Sequence, residues 1–275
     1  YDASGSFEAT EVIVSAEANG KIMKFGIDEG QQLEAGQNVG YIDSIQLYLR
    51  KMQLLANIKA VESRQPETPK QIAATEQQIA TQLKEKRRVE NLLKANVANQ
   101  KQLDDINAQI SLLEKQLEAQ KSSLTITSKG INEDAATLRV QVEQLNDQLQ
   151  KCRIISPIKG TVLVKYAEQG ELAASGKALF KIANIDYITL RAYVAADLLT
   201  KLKIGQKVKV YADYGESGNR QYPGTITWIS DKSEFTPKTV QTQDERNNLV
   251  YAVKIVVKND GYLKIGMYGG MKIGQ

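Results

Sequence analysis

Three glycines and four apolar residues recur 140 positions apart in this chain of 275 residues. Gly20, Gly30 and Gly36 map onto Gly160, Gly170 and Gly176, while Val14, Ile22, Val39 and Ile42 map onto Ile154, Val162, Leu179 and Ile182. Glycine recurs where tight turns need positive φ, and apolar residues recur where short strands face a shared core. Each half has only about 30 residues, too few to bury a core alone. The halves must therefore fold on each other, which brings residues 43 and 153 together and forces everything between them to leave and return.

The intervening stretch, Ile45 to Lys151, is rich in Leu, Ile, Ala, Gln, Glu and Lys, with proline only at Pro66 and Pro69. Such residues lose little side-chain freedom in a helix. Leu103, Ile106, Ile110, Leu113, Leu117 and Leu124 follow a 3-4 spacing in which Gln120 fills one slot, and the line resumes at Leu138, Val142, Leu145 and Leu149. That narrow seam is a coiled-coil pattern. A weaker version runs through Ile72, Ile79, Leu83 and Leu93, and turn-tolerant asparagines lie between the two at Ala95–Asn99. The reading is an antiparallel helical hairpin with its tip near Asn96. Ser63–Pro69 must interrupt the first arm, because proline removes a donor and restricts its predecessor. Ser122–Asn132, with β-branched residues and Gly130, marks a matching break in the second arm at the same height.

Hydrophobic content of 42%, charge content of 25% and a net charge of +4 are ordinary for a soluble protein and do not point to nucleic acid. No run of apolar residues is long enough for a transmembrane helix. The chain opens at Tyr1 without Met, so an export signal or membrane anchor is expected upstream. Histidine is absent and Cys152 stands alone beside Ile154, which makes it a buried structural thiol. Met23, Met52, Met267 and Met271 are scattered and define no metal site. Asp231, Glu234, Asp244 and Glu245 lack a partner base or nucleophile and read as a solvated loop. No catalytic, cofactor-binding or metal-binding residue is assigned.

The doubled segments SAEANGKIMKFGIDEGQQLEAGQNVGYID and SPIKGTVLVKYAEQGELAASGKALFKIAN resemble the split biotinyl/lipoyl domain of HlyD-type membrane fusion proteins, the periplasmic adaptors. Lys159 stands where that family usually has aspartate. The later phrases LKIGQKVKVYAD, YPGTITWIS, EFTPKTVQTQDERNNLVYAVKI and LKIGMYGGMKI resemble the adaptor β-barrel of the YbhG-like branch associated with ABC transporters. The resemblance implies an α+β multidomain chain: a lipoyl-like β-sandwich from 8–43 plus 153–184, a hairpin over 44–152 with its tip at 95–99, and a β-barrel over 185–275. Residues 1–7 are left as a flexible or membrane-proximal remnant.

The same resemblance implies a non-enzymatic adaptor of a tripartite export system. It would sit in the periplasm of a Gram-negative bacterium, held at the inner membrane by a segment outside this chain. Its partners would be an inner-membrane ABC transporter, in preference to an RND pump, a TolC-type outer-membrane channel, and further copies of itself in a hexamer. Within RRVENLLKANVANQKQLDD, Arg88 and Leu92 match the family's channel-docking signature, and Asn99 replaces its serine. Asparagine can cap the second helix as serine does. Read from the residues alone, Arg88 is a solvated helix face and Leu92 a seam residue. Lys84 to Lys101 holds six basic and two acidic residues, suited to an electronegative partner. Two other classes compete: a biotinyl or lipoyl carrier, for which Lys24 lies too early in the first half, and a coiled-coil scaffold without a transporter.

Overall fold

The computed structural model describes residues 1–213, 219–234 and 250–273. The chain divides into two compact units, Tyr1–Asp43 with Lys151–Gln275 and the intervening Ser44–Gln150.

In the first unit, the first half of the repeat forms β2 (Glu11–Ser15), β3 (Gly20–Phe25), β4 (Gln32–Leu33) and β5 (Asn38–Ile42). The second half forms β6 (Arg153–Ile155), β7 (Gly160–Lys165), β8 (Leu172–Ala173) and β9 (Ala178–Ala183). Their sheets run β2-β9-β7-β4 and β6-β5-β3-β8. Exchanging the halves converts one order into the other, so every sheet draws strands from both. The turns obey the same exchange. Gly30 N–H donates to Val162 O and Gly170 N–H to Ile22 O, both at 2.8 Å, while Gly36 N–H donates to Ser156 O and Gly176 N–H to Ala16 O, again at 2.8 Å. These four glycines have φ between 78° and 96°, where a side chain is strained. Gly160 is required for a different reason: a Cβ there would lie 2.5 Å from the carbonyl oxygen of Ala183. Ile22, Ile42, Val162 and Ile182 close the core between the sheets, each at most 1% exposed.

The remaining strands of this unit make a closed barrel, β1-β10-β13-β12-β11-β14. They are β1 (Ala3–Glu8), β10 (Tyr187–Ala195), β11 (Lys207–Asp213), β12 (Asn219–Glu234), β13 (Val250–Lys258) and β14 (Tyr268–Ile273), with the short helix α4 (Ala196–Leu199) after β10. Alternation sends Ile188, Leu190, Ala192 and Val194 inward against Val253, Ile255 and Val257. Two expectations are corrected here. Residues 1–7 are neither flexible nor a remnant: β1 fills the slot between β10 and β14, and Phe7 is buried in the barrel core. Its inward positions Ala3 and Gly5 are too small to give a hydrophobic alternation, which hid the strand. Asp231 and Glu234 are not in a loop but on β12, and both carboxylate oxygens of Glu234 accept from Arg191 Nη2 at 3.1 Å. Asp244 and Glu245 lie outside the described residues.

The second unit holds α1 (Ile45–Glu62), α2 (Thr68–Lys94) and α3 (Gln100–Lys151). The first arm stops at Ser63, where Pro66 has no N–H and the last turn tightens through Arg64 and Gln65 donating to Val61 O and Glu62 O. The second arm does not break: α3 is continuous for 52 residues, about 78 Å at 1.5 Å per residue. The expected break at 122–132 is therefore wrong. Without proline, a glycine or a β-branched residue costs at most about 1 kcal/mol in a helix. Thr125 and Thr127 return their hydroxyls to Lys121 O and Ser123 O. The buried and half-buried line of α3 shifts phase instead. It steps Leu117, Gln120, Leu124, Ser128, Ile131, Ala135, with two consecutive steps of four. Such a stutter locally unwinds a coiled coil. It faces the break of the first arm, where the Gln65 amide donates to Asn132 Oδ1 at 2.7 Å and accepts from Ser128 Oγ at 2.8 Å.

On α2 the seam is Ile72, Thr75, Ile79, Gln82, Lys86, Val89 and Leu93, spaced 3-4 throughout. Leu83, expected in it, is 40% exposed. Hydrogen exchange should be at least about tenfold faster at residues 64–67 than at 122–132, because only the former lack i→i−4 hydrogen bonds. Equal rates in the two segments would contradict the unbroken α3.

Candidate docking tip

The tip is built by two caps. After Lys94, Asn96 adopts φ 54°, which asparagine tolerates better than most residues. Its N–H donates to Leu93 O at 3.0 Å and that of Val97 to Leu92 O at 2.9 Å. This pair of bonds is the Schellman motif, with asparagine in glycine's usual place. Three residues later Asn99 opens α3: its Oδ1 accepts from Lys101 N–H at 3.0 Å, and Gln102 Oε1 accepts from Asn99 N–H at 3.4 Å. That reciprocal arrangement is a capping box. Asn99 thus caps the helix.

Leu92 lies outside the seam, which Val89 fills at 7% exposure. Leu92 itself is 36% exposed. The Schellman motif sets the residue after the cap beside the one that begins the last turn, so Val97 joins Leu92 at the end of the hairpin. Val97 is 73% exposed. No sequence signal singled it out beyond its being an apolar residue in an asparagine-rich loop. Arg88 stands one turn below Leu92 on the same face. Its ion pair to Glu85 at 3.6 Å joins two exposed side chains and contributes little. The tip therefore offers an apolar pair flanked by Arg88, Arg87, Lys94 and Lys101, all exposed. None of these side chains is needed to close the seam.

Among the described residues no group of His, Cys, Asp and Glu is placed to hold a metal ion. Cys152 is buried, and burial, with Asp43 nearby, pushes its thiol pKa up. Lys24 lies exposed on β3 opposite Tyr41, not at a turn. Lys159, where aspartate is usual, pairs with Glu34 at 3.0 Å across the two halves. No helix among the described residues is long and apolar enough to cross a membrane.

Solved structures of other proteins share this fold. MacA from Actinobacillus actinomycetemcomitans matches with a TM-score of 0.59 at 21% identity, covering 99% of this chain and 78% of that one. The membrane fusion protein Spr0693 from Streptococcus pneumoniae R6 matches at 0.53 and 18%, covering 99% and 97%. In sequence, a UPF0194 membrane protein of Yersinia pseudotuberculosis serotype O:3 (strain YPIII) is 36% identical over 125 residues. That match covers 45% of this chain and only 37% of the relative. The family model for the barrel-sandwich hybrid domain of RND membrane fusion proteins matches residues 10–184, which include the whole doubled sandwich and the hairpin within it. The chain belongs to that family of membrane fusion proteins.

Proposed function

We propose that this chain is the periplasmic adaptor of a tripartite export system in a Gram-negative bacterium, bridging an inner-membrane ABC transporter to a TolC-type outer-membrane channel. It performs no chemistry. The observation that carries this reading is the tip: Leu92 and Val97 are exposed at the far end of a hairpin whose seam does not need them, with Arg88 on the same face. An apolar anchor ringed by charge fits a protein partner, and the basic surround favours an electronegative rim. Arg88, Leu92 and Asn99 are the docking residues, with Asn99 acting through the cap that shapes the turn.

Self-association into a hexamer is part of the proposal. It is supported by a second exposed stripe on α1, Ile45, Tyr48, Leu49 and Met52, each 47% to 53% exposed. At i, i+3, i+4 and i+7 these four share one helical face. Leu47 between them is half-buried, so the four lie beside the covered face of α1 and not on it.

A photo-crosslinking residue placed at Val97 should give an adduct with an outer-membrane channel protein in intact cells, and the same residue at Ile126 should not. Adducts at Val97 only with inner-membrane proteins, or none at all, would overturn the docking assignment.

A further inference from the structure

Six turns in the first unit share one construction: the third residue is a glycine with positive φ, Gly30, Gly36, Gly170 and Gly176 in the sandwich and Gly205 and Gly266 at the barrel. In each, that glycine N–H donates to a backbone carbonyl in or just past a strand, and the next residue closes the turn onto the first. The residue at the apex, before the glycine, is Glu29, Ala35, Gln169 and Ser175 in the sandwich. In the barrel it is isoleucine both times. Ile265 is 37% exposed, but Ile204 is 69% exposed. Nothing in the turn requires a large apolar apex, since four sister turns do without one.

Ile204 stands in a field of lysines. Lys201 and Lys203 precede it, and Lys207 and Lys209 point outward from β11, all exposed. Lys272 on β14 lies directly opposite Lys209 in the ladder, a like-charge pairing that destabilises a sheet. None of these five forms an ion pair among the described residues. In the sandwich, by contrast, Lys159, Lys165, Lys177 and Lys181 each meet a glutamate. The nearby acids are engaged locally: Asp2 accepts from Ile273 N–H at 2.8 Å and Asp197 from Leu198 N–H at 2.9 Å. Two aromatic rings complete the patch. Tyr1, 53% exposed, packs on Tyr211 with centroids 5.6 Å apart, and Lys272 Nζ lies 5.8 Å from the Tyr211 ring centre.

The topology gathers this patch at one end of the barrel. The chain passes to and from the sandwich after Glu8 and before Tyr187. β11 is antiparallel to β14, and β14 to β1, so β11 starts at the end where β1 starts, away from the sandwich.

We infer that this end of the barrel binds the surface of an anionic phospholipid bilayer, with Ile204 entering the interface and the lysines facing the headgroups. The residue types favour lipid over protein. Protein interfaces are enriched in arginine and depleted in lysine, and among the described residues the patch has five lysines and no arginine. Lysine is a flexible point charge suited to a diffuse anionic layer, and tyrosine suits the boundary between water and hydrocarbon. Bilayer binding by this end is independent of whether the hairpin tip docks a channel.

Flotation of the whole chain with phosphatidylcholine vesicles, with and without about 30% phosphatidylglycerol, tests this directly. Binding should require the anionic lipid and disappear by about 0.5 M salt. Neutralising Lys203 or Lys209 as glutamine should weaken partitioning about fivefold each. Ile204→Ser should weaken it further, whereas Lys264→Gln and Ile265→Ser at the opposite end should leave it unchanged. Each variant's thermal transition shows that it is folded. The inference is overturned by an absence of vesicle binding, by equal binding to neutral vesicles, or by equal losses from both ends. It is also overturned if the Ile204 and Lys209 variants lose export while the wild-type chain ignores vesicles, which would mark the patch as a protein contact.

Discussion

Leu92→Asp is expected to abolish complementation of whatever export defect deletion of the gene produces, while leaving the melting temperature within about 2 °C of wild type. The side chain is already 36% exposed and the seam beneath it is filled by Val89, and surface changes of this kind are usually within about 0.5 kcal/mol. A charge placed on an interface anchor costs about 2 kcal/mol or more, roughly thirtyfold in affinity at each tip. A symmetric ring would repeat that loss at every copy. Leu113→Asp supplies the contrast. That residue is 7% exposed in the middle of the α3 seam, so an unpaired carboxylate there should lower hairpin stability by about 3 kcal/mol. Full complementation by Leu92→Asp at wild-type abundance would remove the tip from the proposed function.

Gly160→Ala should be a severely damaging single methyl in the sandwich, as should Gly40→Ala, whose Cβ would lie 2.1 Å from the carbonyl oxygen of Lys24. A Cβ at Gly160 would meet the carbonyl oxygen and carbon of Ala183 at 2.5 and 2.7 Å. Those are backbone atoms of a strand paired on both sides, so neither can give way cheaply. Forced overpacking of this kind costs about 3 kcal/mol. Gly30→Ala meets open space and suffers only the strain of φ 84°, about 1 kcal/mol. Denaturant unfolding should therefore rank Gly160→Ala well below Gly30→Ala. The reverse order would mean that turn conformation, not close approach, holds the two halves together.

The glycine register was readable because each half needs the same turns and the same close approach, and both demands fall on a residue type that sequence displays openly. The hairpin was readable for a similar reason, since Leu103 to Leu117 keep a strict 3-4 spacing. What could not be read was anything carried by small or polar residues. The stutter runs through Ser128 and Ala135, which look like weak helix positions until Gln65 is seen bonded across to Ser128 and Asn132. β1 hides behind Ala3 and Gly5. At the tip, sequence left Leu92 open between seam and surface. Only the register of Val89 decides it, and Val97 comes into view only once the Schellman turn folds it back toward Leu92.

The hairpin leaves the sandwich at β5 and returns at β6, two strands already paired to each other, with Ile42 N–H donating to Cys152 O at 2.8 Å. Whatever lies between these two residues is closed at its base by the sandwich itself. An arm can therefore gain or lose seven residues, matched by seven on the other arm, without altering a strand, a turn or the register of the seam. Each such exchange changes the distance from base to tip by about 10 Å. The reach of the hairpin is a ruler graduated in heptads, and selection can match it to the gap that the proposed function requires while the folded base stays the same.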